Sequence, residues 1–195
     1  MFKVYERLLE TDKRYFSSKE IARLLGISLK SRRVTIWRLA KRGVLSRLRR
    51  DLYEVTLKPS DVVEVSNIIY QPSYLSFTYC LGRLGILSQI AYEIEFATSK
   101  KTKRLLIRGR SVIFRKISKK LFFGYTLKDN IFIAEPEKAL LDTLYLKSKG
   151  LTDLDKESLT LNDLSRTKFL MMSKKFPSKV QKEARQLAKY IVHKT

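Results

Sequence analysis

The chain has 195 residues, room for one large domain or for a small module joined to a larger one. Its 41 Lys and Arg against 19 Asp and Glu give a formal charge of +22, which favours a polyanionic partner over small neutral or cationic substrates. Nucleic acid leads and an anionic membrane surface comes second, while 44% hydrophobic and 11% aromatic residues exclude a disordered chain.

Helical spacing of Phe2, Tyr5, Leu8 and Leu9 predicts a first helix over residues 1–10. Ser17 and Ser18 are N-cap residues for a second helix ending at Leu25, with Ile21, Leu24 and Leu25 as its apolar stripe and Gly26 as its stop. A third helix is predicted from Ser31 to Arg42, closed by Gly43. Val44–Leu48, a corner at Arg49, Arg50 and Asp51, and the alternating Leu52–Leu57 then read as a β-hairpin. Three helices and a hairpin in this order predict a winged helix-turn-helix over residues 1–58.

Charge sharpens that reading. Leu29 to Arg50 holds nine basic residues and no acid. On the third helix, a period of about 100° per residue gathers Ile36, Trp37, Leu39 and Ala40 towards the core. The opposite side presents Ser31, Val34, Thr35, Arg38 and Arg42, a face suited to a DNA major groove because a guanidinium pairs bidentately with guanine. Arg38 is the expected base-reading residue. Arg32 and Arg33 at the helix start, with Arg47, Arg49 and Arg50 on the wing, suit phosphate contacts that set register and affinity. A solvated basic face on a protein-binding winged helix is the bland alternative.

Pro59 and Ser60 mark a boundary, and residues 59–195 are expected to form a larger domain, making the whole an α+β protein with a mostly antiparallel sheet. Asp61–Tyr70 reads as a connecting element, and Pro72 as the first residue of a helix running to Leu84 and stopped by Gly85. Ile90–Ala97 alternates, with Tyr92, Ile94 and Phe96 on one face and Glu93 and Glu95 on a wet one. Short strands follow at Leu105–Ile107, Val112–Ile117, Phe122–Leu127 and Ile131–Ala134, with Gly109 and Asp129–Asn130 as turns. Pro136 opens a helix to Lys149, closed by Gly150, and Pro177 opens a last one to about residue 192 with Val180, Ala184, Leu187, Ala188 and Ile191 as its stripe.

A second acid-free stretch, Phe96 to Lys128, holds eleven basic residues, among them Lys100, Lys101, Lys103, Arg104, Arg108 and Arg110. Two readings stay open: solvated strand faces and loops, or a second basic surface that extends the phosphate contact or meets another polyanion such as a tRNA or an acidic partner protein.

Chemistry is sparse. A lone Cys80 excludes an intramolecular disulfide and a zinc ribbon, and is expected to fill core, while the only histidine, His193, leaves no material for a triad or dyad. The carboxylate pairs Glu93/Glu95 and Asp153/Asp155 lack a supporting metal motif, and no phosphate-binding glycine loop or nucleophile elbow occurs. No catalytic residue, metal or cofactor is expected. Without a span of about 18 apolar residues or a leader-like apolar run, the expected location is the cytoplasm.

Pro72-Ser73-Tyr74, then Arg83-Leu84-Gly85-Ile86, then Ile133-Ala134-Glu135-Pro136-Glu137-Lys138-Ala139-Leu140-Leu141-Asp142, following a winged helix, make the chain resemble the AbiEi family over nearly its whole length. These are antitoxin and transcriptional regulators of type IV toxin–antitoxin and phage-defence systems. The last segment, similar to the family's A-x-P-E-K-A-L-x-D stretch, is the most specific; Pro136 and Glu137 suit a helix start. The resemblance implies operator DNA as one partner, autorepression of the operon, and protection against a nucleotidyltransferase toxin. A transcription factor of other lineage, with a ligand-sensing or dimerising second domain, is the alternative.

Overall fold

The structure, a computed structural model, describes residues 2–11, 13–89 and 91–191, with the side chains of Phe2, Lys3 and Tyr5 outside that description. The expectations for His193, for Ile90 as a strand start, and for Phe2 and Tyr5 as packing residues lie outside the described residues, whereas the last helix ends at Leu187, short of the expected residue 192. The chain divides into two compact units at Val65/Ser66.

The first unit holds α1 (Phe2–Leu9), β1 (Tyr15–Phe16), α2 (Ser18–Leu25), α3 (Arg32–Lys41), β2 (Leu45–Arg49) and β3 (Leu52–Val55). Its core joins Leu8 of α1, Ile21 of α2, Ile36 and Leu39 of α3, and Phe16, Val44, Leu45 and Val55 from the sheet side. α2 begins with a capping box: the Ser17 hydroxyl accepts from Glu20 N–H at 3.2 Å, and the Glu20 carboxylate accepts from Ser17 N–H at 2.7 Å. The unforeseen β1 pairs antiparallel with β3, so the hairpin becomes a three-stranded sheet of order β1-β3-β2. Two residues escape a sequence reading because no alternation can be seen in them. Asp51 turns the hairpin at φ +59°, a conformation Asp tolerates, and its Oδ1 accepts from Ser18 N–H at 3.2 Å, tying the turn to the start of α2.

α4 (Val62–Ile69), the predicted connecting element, carries the chain into the second unit. There β4 (Ser73–Leu75), α5 (Phe77–Arg83), β5 (Ile94–Thr98), β6 (Lys103–Ile107), β7 (Arg110–Lys116), β8 (Tyr125–Lys128), β9 (Ile131–Ala134), α6 (Pro136–Ser148), α7 (Arg166–Ser173) and α8 (Ser178–Leu187) follow in order. The sheet order is β6-β7-β5-β4-β9-β8. Its β6/β7, β5/β4 and β8/β9 pairs are antiparallel, while β5/β7 and β4/β9 are parallel. Two local hairpins turn at Arg108–Gly109 and at Asp129–Asn130, all four at positive φ, the backbone such two-residue turns require.

Three expectations in this unit need correction. Pro72 does not start a helix: it leads into β4, and the helix begins five residues later at Phe77. Residues 73–77 are fully covered, so the segment pairs with β5 and β9 inside the sheet before it can coil. β5 has no wet face; all five residues are buried because the strand lies between β4 and β7. Glu95 is buried with its partners supplied: Thr78 N–H and Oγ1 donate to one oxygen at 3.1 and 2.5 Å, and Arg115 Nε to the other at 2.9 Å. Tyr92, assigned to the dry face, is exposed. α7 was not foreseen at all, since its apolar pattern is weak; its start is built from outside, with Ser165 N–H donating to Glu137 Oε1 at 2.9 Å and Lys168 paired with Glu135 and Glu137 at 3.4 Å.

The heart of the second unit is an ion pair one helical turn apart on α6, Lys138 with Asp142, both without solvent exposure. Tyr74 Oη accepts from Lys138 Nζ at 2.8 Å and donates to Asp142 Oδ2 at 2.9 Å, and Ser76 Oγ donates to the same oxygen at 2.9 Å. The ammonium also lies 5.1–5.3 Å from the ring centroids of Tyr74, Phe123 and Phe176, within cation–π range. Burial pushes the Lys138 ammonium down and the Asp142 carboxyl up, each opposed by the other's charge. Gly124 lies against this site: at φ +68°, an added Cβ would sit 3.1 Å from Lys138 Cγ.

Stripping one partner leaves a buried unpaired charge, so Lys138→Ala or Asp142→Asn is expected to cost about 3–5 kcal/mol, whereas Lys138→Met with Asp142→Leu costs less than either alone. Urea unfolding of the three variants checks this; a double variant as unstable as the sum would contradict it. In the first unit, Ser17→Ala is expected to cost about 1 kcal/mol. The Lys13 and Ser17 contacts hold the Glu20 carboxyl at about 2. A depressed carboxylate stabilises above its unfolded pKa, so this contribution is lost as pH falls from about 4.5 towards 2, and acid titration of melting temperature in Glu20→Gln, which lacks it, should be flatter over that window.

Candidate nucleic-acid interface

α3 is held by two buried residues, Ile36 and Leu39, one on each of two successive turns. Ala40 is half-buried beside them. Trp37, expected in the core, is 61% exposed. Its position is 100° round the helix from Ile36 and further still from Leu39, which puts it on the flank that faces outward. The outward face therefore runs through Arg33, Val34, Trp37, Arg38, Lys41 and Arg42, all exposed. Trp37 and Lys41 are the residues the sequence reading missed; the signal available was their spacing of four, and in the structure Lys41 Nζ lies 5.2 Å from the Trp37 ring centroid.

Ser31 and Thr35 are committed locally: the Ser31 hydroxyl donates to Ser28 C=O at 3.1 Å and lies 2.9 Å from Ser28 Oγ, and Thr35 Oγ1 donates to Ser31 C=O at 3.2 Å. They shape the start of α3. Arg47 Nε donates to Arg49 C=O at 3.3 Å, bracing the end of β2.

Between α3 and the hairpin lies a surface basin of about 450 Å³. Arg32 and Arg33 line it from α3, Arg47 and Arg50 from the hairpin, and Trp37 and Tyr53 supply aromatic walls. Its one carboxylate, Asp51, is turned to Ser18; that hydrogen bond, with Arg32 and Lys19 nearby, holds its carboxyl below the usual range. Among the described residues, no carboxylate lies within 4.0 Å of Arg32, Arg33, Arg38, Lys41, Arg42, Arg47, Arg49 or Arg50. The structure thus brings Arg32, Arg33, Arg47 and Arg50 of the predicted set into one concavity, with Arg38 and Arg42 on the adjoining outward face of α3.

The second basic stretch is different in kind. Arg104 pairs with Glu93 at 2.9 Å, and Arg115 with Glu95 at 2.9 Å and Glu93 at 4.0 Å. Ser111 Oγ also donates to Glu93, and together these contacts hold the Glu93 carboxyl down against burial. Arg110 donates to Tyr92 C=O at 3.4 Å and lies over the Tyr92 ring; Arg108 sits in the β6–β7 turn. Lys100 and Lys103 converge on Tyr70, each 5.5 Å from its centroid, and Tyr70 Oη donates to Lys101 C=O at 2.9 Å. The acid-free run is acid-free only along the chain: Glu93 and Glu95 reach it across the sheet. Cys80 is buried, and burial pushes its thiol up, as suits core packing.

Residues 3–56 match the model of a family described as transcriptional regulator, AbiEi antitoxin. The match runs from α1 to the end of the hairpin, the elements that build the basin. The Glu135–Asp142 segment, the most specific part of the resemblance read from sequence, lies outside the matched residues. No curated protein matches the chain. No helix among the described residues is long and apolar enough to cross a membrane.

Proposed function

We propose that this chain is a DNA-binding regulator of the antitoxin type, whose first 58 residues act as a winged helix-turn-helix on duplex operator DNA. The observation that carries the reading is the set of arginines on α3 and the hairpin that have no carboxylate partner. Cations left without partners on a convex helix and a neighbouring wing attract phosphates and gain by counterion release. α3 enters the major groove with Arg38 at base edges, and Arg32, Arg33, Arg47, Arg49 and Arg50 hold the backbone. The family match over the same residues supports a regulatory role.

In this reading the protein represses its own operon in the cytoplasm, counters a nucleotidyltransferase toxin and catalyses no reaction. Residues 59–195 serve the protective role. Within their basic stretch Lys100, Lys101 and Lys103 form the exposed cluster assigned to that role, whereas Arg104 beside them is already paired with Glu93.

Arg38→Ala is expected to cost about 1–3 kcal/mol on the operator and to narrow the gap between operator and random duplex. Arg49→Ala should weaken both duplexes alike. Fluorescence anisotropy with the two duplexes reads the contrast. Equal loss on both for Arg38→Ala would remove it as a base reader, and unchanged binding in both variants would sink the docking.

A further inference from the structure

The DNA-binding reading uses the charge of the α3 face but leaves two features of the basin without a role: its aromatic walls and its concavity. Trp37 is the chain's only tryptophan and stands mostly in water on α3. An indole in that position forgoes the burial that makes large aromatic residues valuable in a core. Helical geometry alone does not demand it, since any polar residue would serve on an outward flank. Around it the charge is mostly positive: Lys41 lies over the ring on its own helix, and Arg32, Arg33, Arg47 and Arg50 line the basin it borders, against the single carboxylate of Asp51.

Apolar ring and guanidiniums side by side match one class of ligand particularly well. A nucleic-acid strand alternates an anionic phosphate with a largely apolar sugar, so a surface that alternates cation and aromatic fits both at once. A basin of about 450 Å³ is of the size that holds a single nucleotide unit rather than a helix or a protein loop. An acidic peptide would satisfy the arginines but offers no periodic apolar element for the ring. An unanchored mononucleotide would fit the walls, yet the same face continues along α3 through Arg38 and Arg42, which a lone nucleotide cannot reach.

From this, and resting on the DNA-binding reading above, we infer that the basin seats one phosphodeoxyribose unit of duplex backbone. Arg32 and Arg50 take the phosphate from opposite walls, and the Trp37 indole packs on the adjoining sugar. Trp37 is then a positioning residue: it reads no base, but it sets how deeply α3 enters the groove and hence whether Arg38 reaches a base edge. Asp51, held towards Ser18 by its hydrogen bond, keeps its charge turned from the phosphate.

A single tryptophan makes the test direct. Full-length protein is titrated with a short labelled duplex, following anisotropy for binding and tryptophan emission for contact. Emission is expected to change in parallel with anisotropy and to saturate with it. Trp37→Ala should weaken random duplex by about tenfold, the equivalent of about 1.4 kcal/mol, and operator duplex by more than that, because Arg38 then no longer reaches its base edge. Trp37→Phe should retain most of the affinity, and because the side chain lies outside the core, both variants should keep the parent melting transition. Saturated anisotropy with unchanged emission would overturn the seat while leaving DNA binding intact. No anisotropy change at all would overturn the DNA-binding reading itself. Deoxythymidine monophosphate producing the full emission change at the same or lower concentration than duplex would overturn the strand seat in favour of a small-ligand pocket.

Discussion

With 41 basic side chains and 19 acidic ones, the protein cannot neutralise its cations, so the placement of its carboxylates decides where positive charge is left over. That placement is selective. Glu20 is held by Lys13 and the α2 cap, Glu64 pairs with Arg14, Glu93 and Glu95 with Arg104 and Arg115, Glu135 and Glu137 with Lys168, and Glu183 with Lys147 and Lys156. Each joins elements that must stay together: a cap, a sheet face, or the starts and ends of helices. None reaches the arginines of α3 and the hairpin. Exposed pairs of this sort contribute little energy individually, but their distribution leaves the arginines around the basin without carboxylate partners, and like charges gathered at a concave surface are what draws a polyanion.

The second unit treats a cation in the opposite way. Lys138 is taken wholly inside and matched at once by Asp142, Tyr74 and three aromatic rings. Because Tyr74 and Ser76 lie in or next to β4, and Lys138 and Asp142 on α6, the network fixes the helix against the middle of the sheet with directional bonds that an apolar contact would not supply. Asn67 does similar work from α4, donating to Ser73 C=O and accepting from Phe132 N–H at 2.8 Å each, and so bridges two parallel strands whose shared ladder is short.

Much of this was legible where the cause is local. The Ser17 cap, the glycine stops at Gly26 and Gly43, the hairpin turns and the Pro136 helix start all follow from neighbours in sequence. What stayed hidden depends on distant partners. Residues 72–84 look like one helix until β5 and β9 claim Ser73–Leu75; Glu93 and Glu95 look wet until Arg104 and Arg115 arrive from neighbouring strands. Pro136-Glu137-Lys138 reads as a helix start, but nothing local says that Lys138 is buried or that Glu137 holds the start of α7. At the candidate interface the basic residues were legible one by one. The basin was not, since it exists only once α3 and the hairpin are side by side. Trp37 reads as a core residue by hydrophobicity alone, but its angle on α3 places it outward.

The dependence of duplex affinity on salt tests the central claim most directly, since it counts the phosphates neutralised by cations that the protein itself leaves unpaired. With at least four backbone contacts from α3 and the hairpin, a plot of log affinity against log salt concentration for the full chain should fall with a slope of about −3.6 or steeper. A slope between zero and about −1 would mean that the uncompensated arginines meet no DNA backbone, and the surface would have to be assigned to another partner.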